Sequence, residues 1–148
     1  MDHTSAESFW SLLDQLLTHG GFNKPLVESI LGTPLRRVHR NKFYDFHEGD
    51  GTVVRGLTIR KVELRLKRNA NAVGTLIIDF GEPCVTLAEI KKRHPALTPT
   101  PLSSDSADEL IHYTAKYPFR HLSFGFPQEN SAYATQVVVE ARGEAETQ

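Results

Sequence analysis

Arg60-Lys61-Val62-Glu63-Leu64-Arg65-Leu66-Lys67 is the stretch whose reading decides the fold. Successive side chains of an extended chain point to opposite faces, so Val62, Leu64 and Leu66 share one face and Lys61, Glu63, Arg65 and Lys67 the other. One face is dry and the other wet, which is the pattern of a half-buried antiparallel strand. Sixty residues on, Arg120-His121-Leu122-Ser123-Phe124-Gly125-Phe126 sets Leu122, Phe124 and Phe126 at the places of Val62, Leu64 and Leu66. At an offset of 61, Leu76-Ile77-Ile78-Asp79 falls on Val137-Val138-Val139-Glu140, and Leu26-Val27-Glu28 on Leu87-Ala88-Glu89. Three elements in one order at nearly one spacing imply a duplicated supersecondary unit. A duplicated scaffold without reactive motifs is more often a binding surface than a catalyst.

Outward from this strand the chain divides into helix and strand signals. Thr4-Ser5-Ala6-Glu7 has the form of a capping box, followed by Phe9, Leu12, Leu13, Leu16 and Leu17 at helical spacing and a stop at Gly20-Gly21. Asn23 and Pro25 start a second helix through Leu31, closed by Gly32. Strands are expected at Phe43–His47, Val53–Lys67 with a bulge at Gly56, and Val73–Phe80. Thr86-Leu87-Ala88-Glu89 is a second capping box, and its helix ends before Pro95. A Pro/Ser/Thr-rich loop from Ala96 to Asp108 precedes strands at Leu110–Lys116, Phe119–Phe126 and Tyr133–Ala141. The expected fold is α+β: one domain over 1–148, an antiparallel sheet of about six strands from two α-βββ units at 22–82 and 83–142. An extra N-terminal helix precedes them, the helices cover one sheet face, and 143–148 form a disordered tail.

The chain is 39% hydrophobic and 24% charged, which is ordinary for a globular protein. It has no apolar run long enough to span a membrane and opens on the polar Met1-Asp2-His3, so a cytoplasmic protein without membrane attachment is expected. Cys84 is the only cysteine, which excludes an internal disulfide. Net charge is −1 but uneven: residues 24–68 hold eleven Lys/Arg against five acids, whereas 105–148 hold three against seven. The basic segment points to a partner with an acidic surface, because long-range fields speed encounter with opposite charge.

Reactive constellations are missing. Seven histidines show no His-x-x-x-His pair and no Cys-x-x-Cys clip accompanies them, so neither a metal nor another cofactor is expected. No phosphate-binding glycine loop and no nucleophile elbow occurs, so no catalytic residue is assigned. The basic ladder at 60–68 alternates with aliphatic rather than aromatic residues, which argues against nucleic acid. Phe43, Tyr44 and Phe46, and Tyr117 and Phe119, place aromatics beside charge, as anchors of a protein-binding face would be. The expected partner-binding residues are Tyr44, His47, Arg60, Arg65, Tyr117, Phe119 and His121.

The segments Leu26–Gly32 with strands to Phe80, and Thr86–Ile90 with strands to Ala141, resemble the beta-lactamase inhibitor protein family and the related small outer-membrane assembly lipoproteins. Several bacterial immunity proteins are similar in size and organisation. The lipoproteins carry a lipid-attachment cysteine near the start, and this chain does not. The resemblance implies a concave sheet that clamps part of another protein.

The leading expectation is therefore a non-enzymatic inhibitor or immunity protein acting by occlusion. Two alternatives stand beside it. One is a small enzyme or carrier with a pocket between sheet and helices lined by His112, His121 and Cys84. The other is nucleic-acid binding through the basic 36–68 region. An exposed edge strand would leave room for a homodimer.

Overall fold

Local signals place the helices. The computed structural model describes residues 3–18, 22–70, 73–82, 85–100, 110–118, 120–128 and 131–141. Helix α1 spans His3–Thr18, beginning one residue ahead of the expected cap at Thr4. In α2 (Lys24–Leu31) the Leu26 N–H donates to Asn23 Oδ1 at 2.8 Å, and Gly32, with φ 70°, closes the helix in the left-handed region. Helix α3 (Leu87–Arg93) carries a complete capping box: Glu89 N–H donates to Thr86 Oγ1 at 3.2 Å, and Thr86 N–H to Glu89 Oε1 at 2.8 Å. Gly20 and Gly21 lie outside the described residues.

The strands are β1 (Arg36–Arg40), β2 (Tyr44–Gly49), β3 (Thr52–Val54), β4 (Leu57–Lys67), β5 (Gly74–Phe80), β6 (Val85–Thr86), β7 (Thr98–Pro99), β8 (Ile111–Tyr117), β9 (Arg120–Phe126), β10 (Tyr133–Ala134) and β11 (Gln136–Ala141). Nine of them form one antiparallel sheet in the order β1-β2-β4-β5-β11-β9-β8-β7, with β3 on the same edge of β4 as β2. Strands β6 and β10 pair as a separate two-stranded ribbon.

Nine strands replace the expected six for three physical reasons. Strand β1 is exposed at all five residues and so has no alternation to read. Strand β7 has two residues. Arg55 and Gly56, at φ 54° and 82°, form the tight turn of a β3–β4 hairpin rather than a bulge within one long strand. The irregularity lies further on, between Ile59 and Lys61, where Arg60 is the inserted residue.

One core joins the inward rows of the sheet to the helices. Leu64, Leu76, Val139 and Leu122 face one another across β4, β5, β11 and β9, as do Val62, Ile78, Val137 and Phe124. The helices add Phe9, Leu12, Leu13 and Leu16 from α1, Val27, Ile30 and Leu31 from α2, and Ile90 from α3. Phe9 lies with its ring centroid 5.4 Å from Phe80 and 6.3 Å from Phe124, and Trp10 lies 6.2 Å from Phe124. Arg55, in the β3–β4 turn, donates to the Ser11 hydroxyl and the Gln15 side-chain oxygen, tying α1 to that hairpin.

Phe124 is fully buried between α1 and three strands, so Phe124→Ala should cost about 3–5 kcal/mol through lost burial and an unfilled cavity. Urea unfolding followed by the fluorescence of Trp10, the only tryptophan, measures it. A cost below about 1 kcal/mol would mean that Phe124 does not join helix to sheet.

Candidate functional site

The sheet face turned away from the helices carries a polar lattice. It is built from Tyr44, Phe46 and Glu48 of β2, Lys61, Glu63, Arg65 and Lys67 of β4, and Thr75, Ile77 and Asp79 of β5. Beyond these lie Gln136, Val138 and Glu140 of β11, His121 and Ser123 of β9, and His112, Thr114 and Lys116 of β8. His112 Nε2–H donates to Gln136 Oε1 at 2.7 Å, and Gln136 Nε2 donates to Asp79 Oδ1 at 2.8 Å, a chain over four adjacent strands. Gly125 makes this chain sterically feasible. A Cβ there would stand 3.0 Å from His112 Nε2 and 2.8 Å from Leu110 Cδ1. Alongside runs a hydroxyl row, Thr100 to Thr114 at 2.5 Å and Thr114 to Ser123 at 2.8 Å.

The charge and the aromatics gather at the β1–β2–β4 end of this face. Lys61 Nζ lies 3.6 Å from Glu48 and 3.7 Å from Glu63, and Arg65 lies 3.5 Å from Glu63. These are exposed pairs worth about 0–1 kcal/mol each, so they orient side chains more than they hold the fold. The Arg65 guanidinium sits 5.7 Å from the Phe46 ring centroid, His39 lies 5.3 Å from Phe46, and Tyr44 lies 6.2 Å from it. Arg36 and His39 of β1 stand opposite Glu48 and Phe46.

The expected site residues separate on this geometry. Tyr44 and Arg65 belong to the cluster, and His121 lies on the same face with Nδ1 3.5 Å from Glu140. Arg60 is exposed at the β4 irregularity. His47 is turned the other way: it stands opposite Leu64 and is buried beneath the helices. Tyr117 stands opposite Arg120 at the end of β8, on the helix side, with its hydroxyl 2.5 Å from His94 Nδ1. Phe119 and Cys84 lie outside the described residues. His112 and His121, expected to line a pocket between sheet and helices, face away from the helices instead. Phe46, named among the candidate aromatics but not among the expected partner-binding residues, stands two residues from Tyr44 and shares its face, and His39 and Arg36 join it from β1 without having been expected.

On the core side at the same end, Asp45 takes a two-pronged hydrogen bond from Arg40, with Arg37 3.9 Å away. The Arg40 hydrogen bonds hold the Asp45 carboxyl below the usual carboxylate range. An open depression of about 450 Å³ lies here, bordered by Phe22, Asn23, Arg40, Lys67 and Arg68. His47 Nδ1 has no hydrogen-bond partner among the described residues. Burial pushes its imidazole below the ordinary histidine value; Lys24 and Arg37 push the same way, Asp45 and Glu28 against. Burial lowers His94 similarly, with Arg93 adding and Asp14 opposing.

No three His, Cys, Asp or Glu side chains converge on a metal site among the described residues. No described helix is long and apolar enough to cross a membrane. No family model, curated protein or solved structure matches the chain at a significant level.

A histidine held neutral by burial binds fewer protons folded than unfolded. Stability is then fully present above the unfolded value of about 6.5 and falls as pH drops through it toward the lowered folded value. His47→Leu should flatten this acid slope, leaving the part that His94 contributes. Urea midpoints at closely spaced values from pH 7.5 to 5 test it; parallel curves for the two proteins would remove His47 from the account.

Proposed function

We propose that the protein is a non-enzymatic protein-binding module of the inhibitor or immunity kind, acting in the cytoplasm. It would block an acidic surface of another protein through the β1–β2–β4 end of its exposed sheet face. The observation that carries this reading is the cluster of His39, Tyr44 and Phe46 rings beneath Arg65. Aromatic and arginine side chains dominate the energetics of protein interfaces, since they bury much area for few torsions. Here they stand on a hydrogen-bonded sheet and already touch one another, which reduces the ordering cost of association. The basic surplus of residues 24–68 would set the encounter rate.

The duplication of 22–82 and 83–142 belongs to the same reading. It is supported by the junction of β5 and β11, where Ile77 stands opposite Val138. An offset of 61 exchanges these two residues, so a two-fold axis through them would relate the halves. Such a scaffold presents one broad face without needing a pocket.

The experiment is capture of a stoichiometric partner by the tagged protein from its native lysate, followed by titration of variants against that partner. Phe46→Ala and Arg65→Glu should each weaken binding about thirtyfold or more, roughly 2 kcal/mol, with little change in melting temperature. Tyr117→Ala, on the far side of the sheet, should bind as wild type. Undiminished binding by both face variants would refute the assignment of this face.

A further inference from the structure

The nine-stranded sheet ends in two unlike edges. At one end β7 has two residues, and one is Pro99, which has no N–H to pair; that edge is blunted. At the other end β1 offers five residues, Arg36-Arg37-Val38-His39-Arg40, with neither proline nor glycine. Strand β1 pairs with β2 and with no other described strand, and all five of its residues are exposed. A strand in this position turns a row of backbone N–H and C=O groups outward, and another extended chain can pair with them.

The side chains of this edge select that chain. Among the described residues the ion pairs of Arg36, Arg37 and Arg40 go to Asp50 and Asp45, and Lys42 lies just beyond; the Arg36–Asp50 pair is exposed on both sides, where an incoming carboxylate competes readily. A second copy of β1 would set arginine against arginine, and like charges directly opposite one another are destabilising across a strand pair. Carboxylates in those places are favourable for the same reason. Apolar surface is open here as well: Val38 is 46% and Phe43 59% exposed. The register shift between Arg37 and His39 interrupts the strand, so the matching segment is short.

We propose that β1 accepts a short, extended, acidic segment of a partner protein as a tenth strand, with carboxylates meeting Arg36, Arg37 and Arg40 and an apolar side chain covering Val38. The proposal rests on the protein-binding reading and specifies its mode.

The test uses the full chain and five probes. These are a capped nonapeptide of glutamates around a central valine, so that carboxylates face both ways, the same peptide N-methylated at every second residue in each of two phases, its lysine counterpart, and a twelve-residue oligothymidylate. The glutamate peptide should slow amide hydrogen exchange across Arg36–Arg40, with an affinity that falls as salt rises. N-methylation, which keeps the charge and removes backbone donors, should weaken binding at least tenfold in one of its phases. The double variant Arg36→Glu, Arg37→Glu should lose the glutamate peptide while keeping its dispersed amide spectrum. Equal affinity for the plain and both N-methylated peptides would overturn the added strand yet leave docking by charge standing. Failure of the glutamate peptide to protect β1 would overturn it too. Tighter binding of the oligothymidylate would overturn both readings in favour of nucleic acid.

Discussion

The register of β5 against β11 is the constraint on which the rest depends. Six residue pairs, from Gln136 opposite Asp79 to Ala141 opposite Gly74, join the strands of the two halves of the chain. Each pair is also a choice of face. A slip by one residue would carry either Leu76 and Ile78 or Val137 and Val139 to solvent and drive Asp79 or Glu140 into the core. Burying an unpaired carboxylate costs several kcal/mol or forces its protonation, so the slipped sheet is strongly disfavoured. The bond from Gln136 to Asp79 forms only in the observed register, so the wet face and the dry face specify the same pairing.

That double specification separates the face that holds the fold from the face that contributes little to stability. The core face holds the apolar rows and the three helices; its buried polar side chains are His47 and Thr33, and the Arg40–Asp45 and Tyr117–His94 pairs lie at its margins. The opposite face holds hydroxyls, amides and ion pairs whose individual contributions are small. Side chains there are therefore little constrained by stability, provided that their alternation keeps the register. Gly125 shows the limit of that freedom, because a Cβ at that position would collide with Leu110 and press on His112.

What was legible in the sequence is what burial writes into it. Strands with one buried face, such as Leu57–Lys67 and Arg120–Phe126, announce themselves through period two. The caps at Asn23 and Thr86 were equally plain, because few residue types can satisfy a helix start. Strand β1 has no buried face and therefore no period, so an element central to the candidate site left no pattern. The Arg55-Gly56 turn lacks the Asn-Gly or Asp-Gly signature of its type and reads as a bulge. For the site itself, Tyr44 and His47 stand three residues apart, so alternation alone puts them on opposite faces. Which of the two meets the core emerges only from the pairing of His47 with Leu64.

The position of the aromatic cluster follows from the same accounting. Phe46 and Tyr44 are apolar rings placed on the wet face, where burial against the helices cannot reach them. His39 and Arg65 cover part of the Phe46 ring, which limits the cost of leaving it in water. Such cover is partial by construction, because cations held by exposed pairs move aside at small cost. A second surface that carries carboxylates can draw the cations off and take the rings for itself. The cluster is thus shielded while the protein is alone, and under the proposed function an acidic partner would open it without any change in the backbone that carries it.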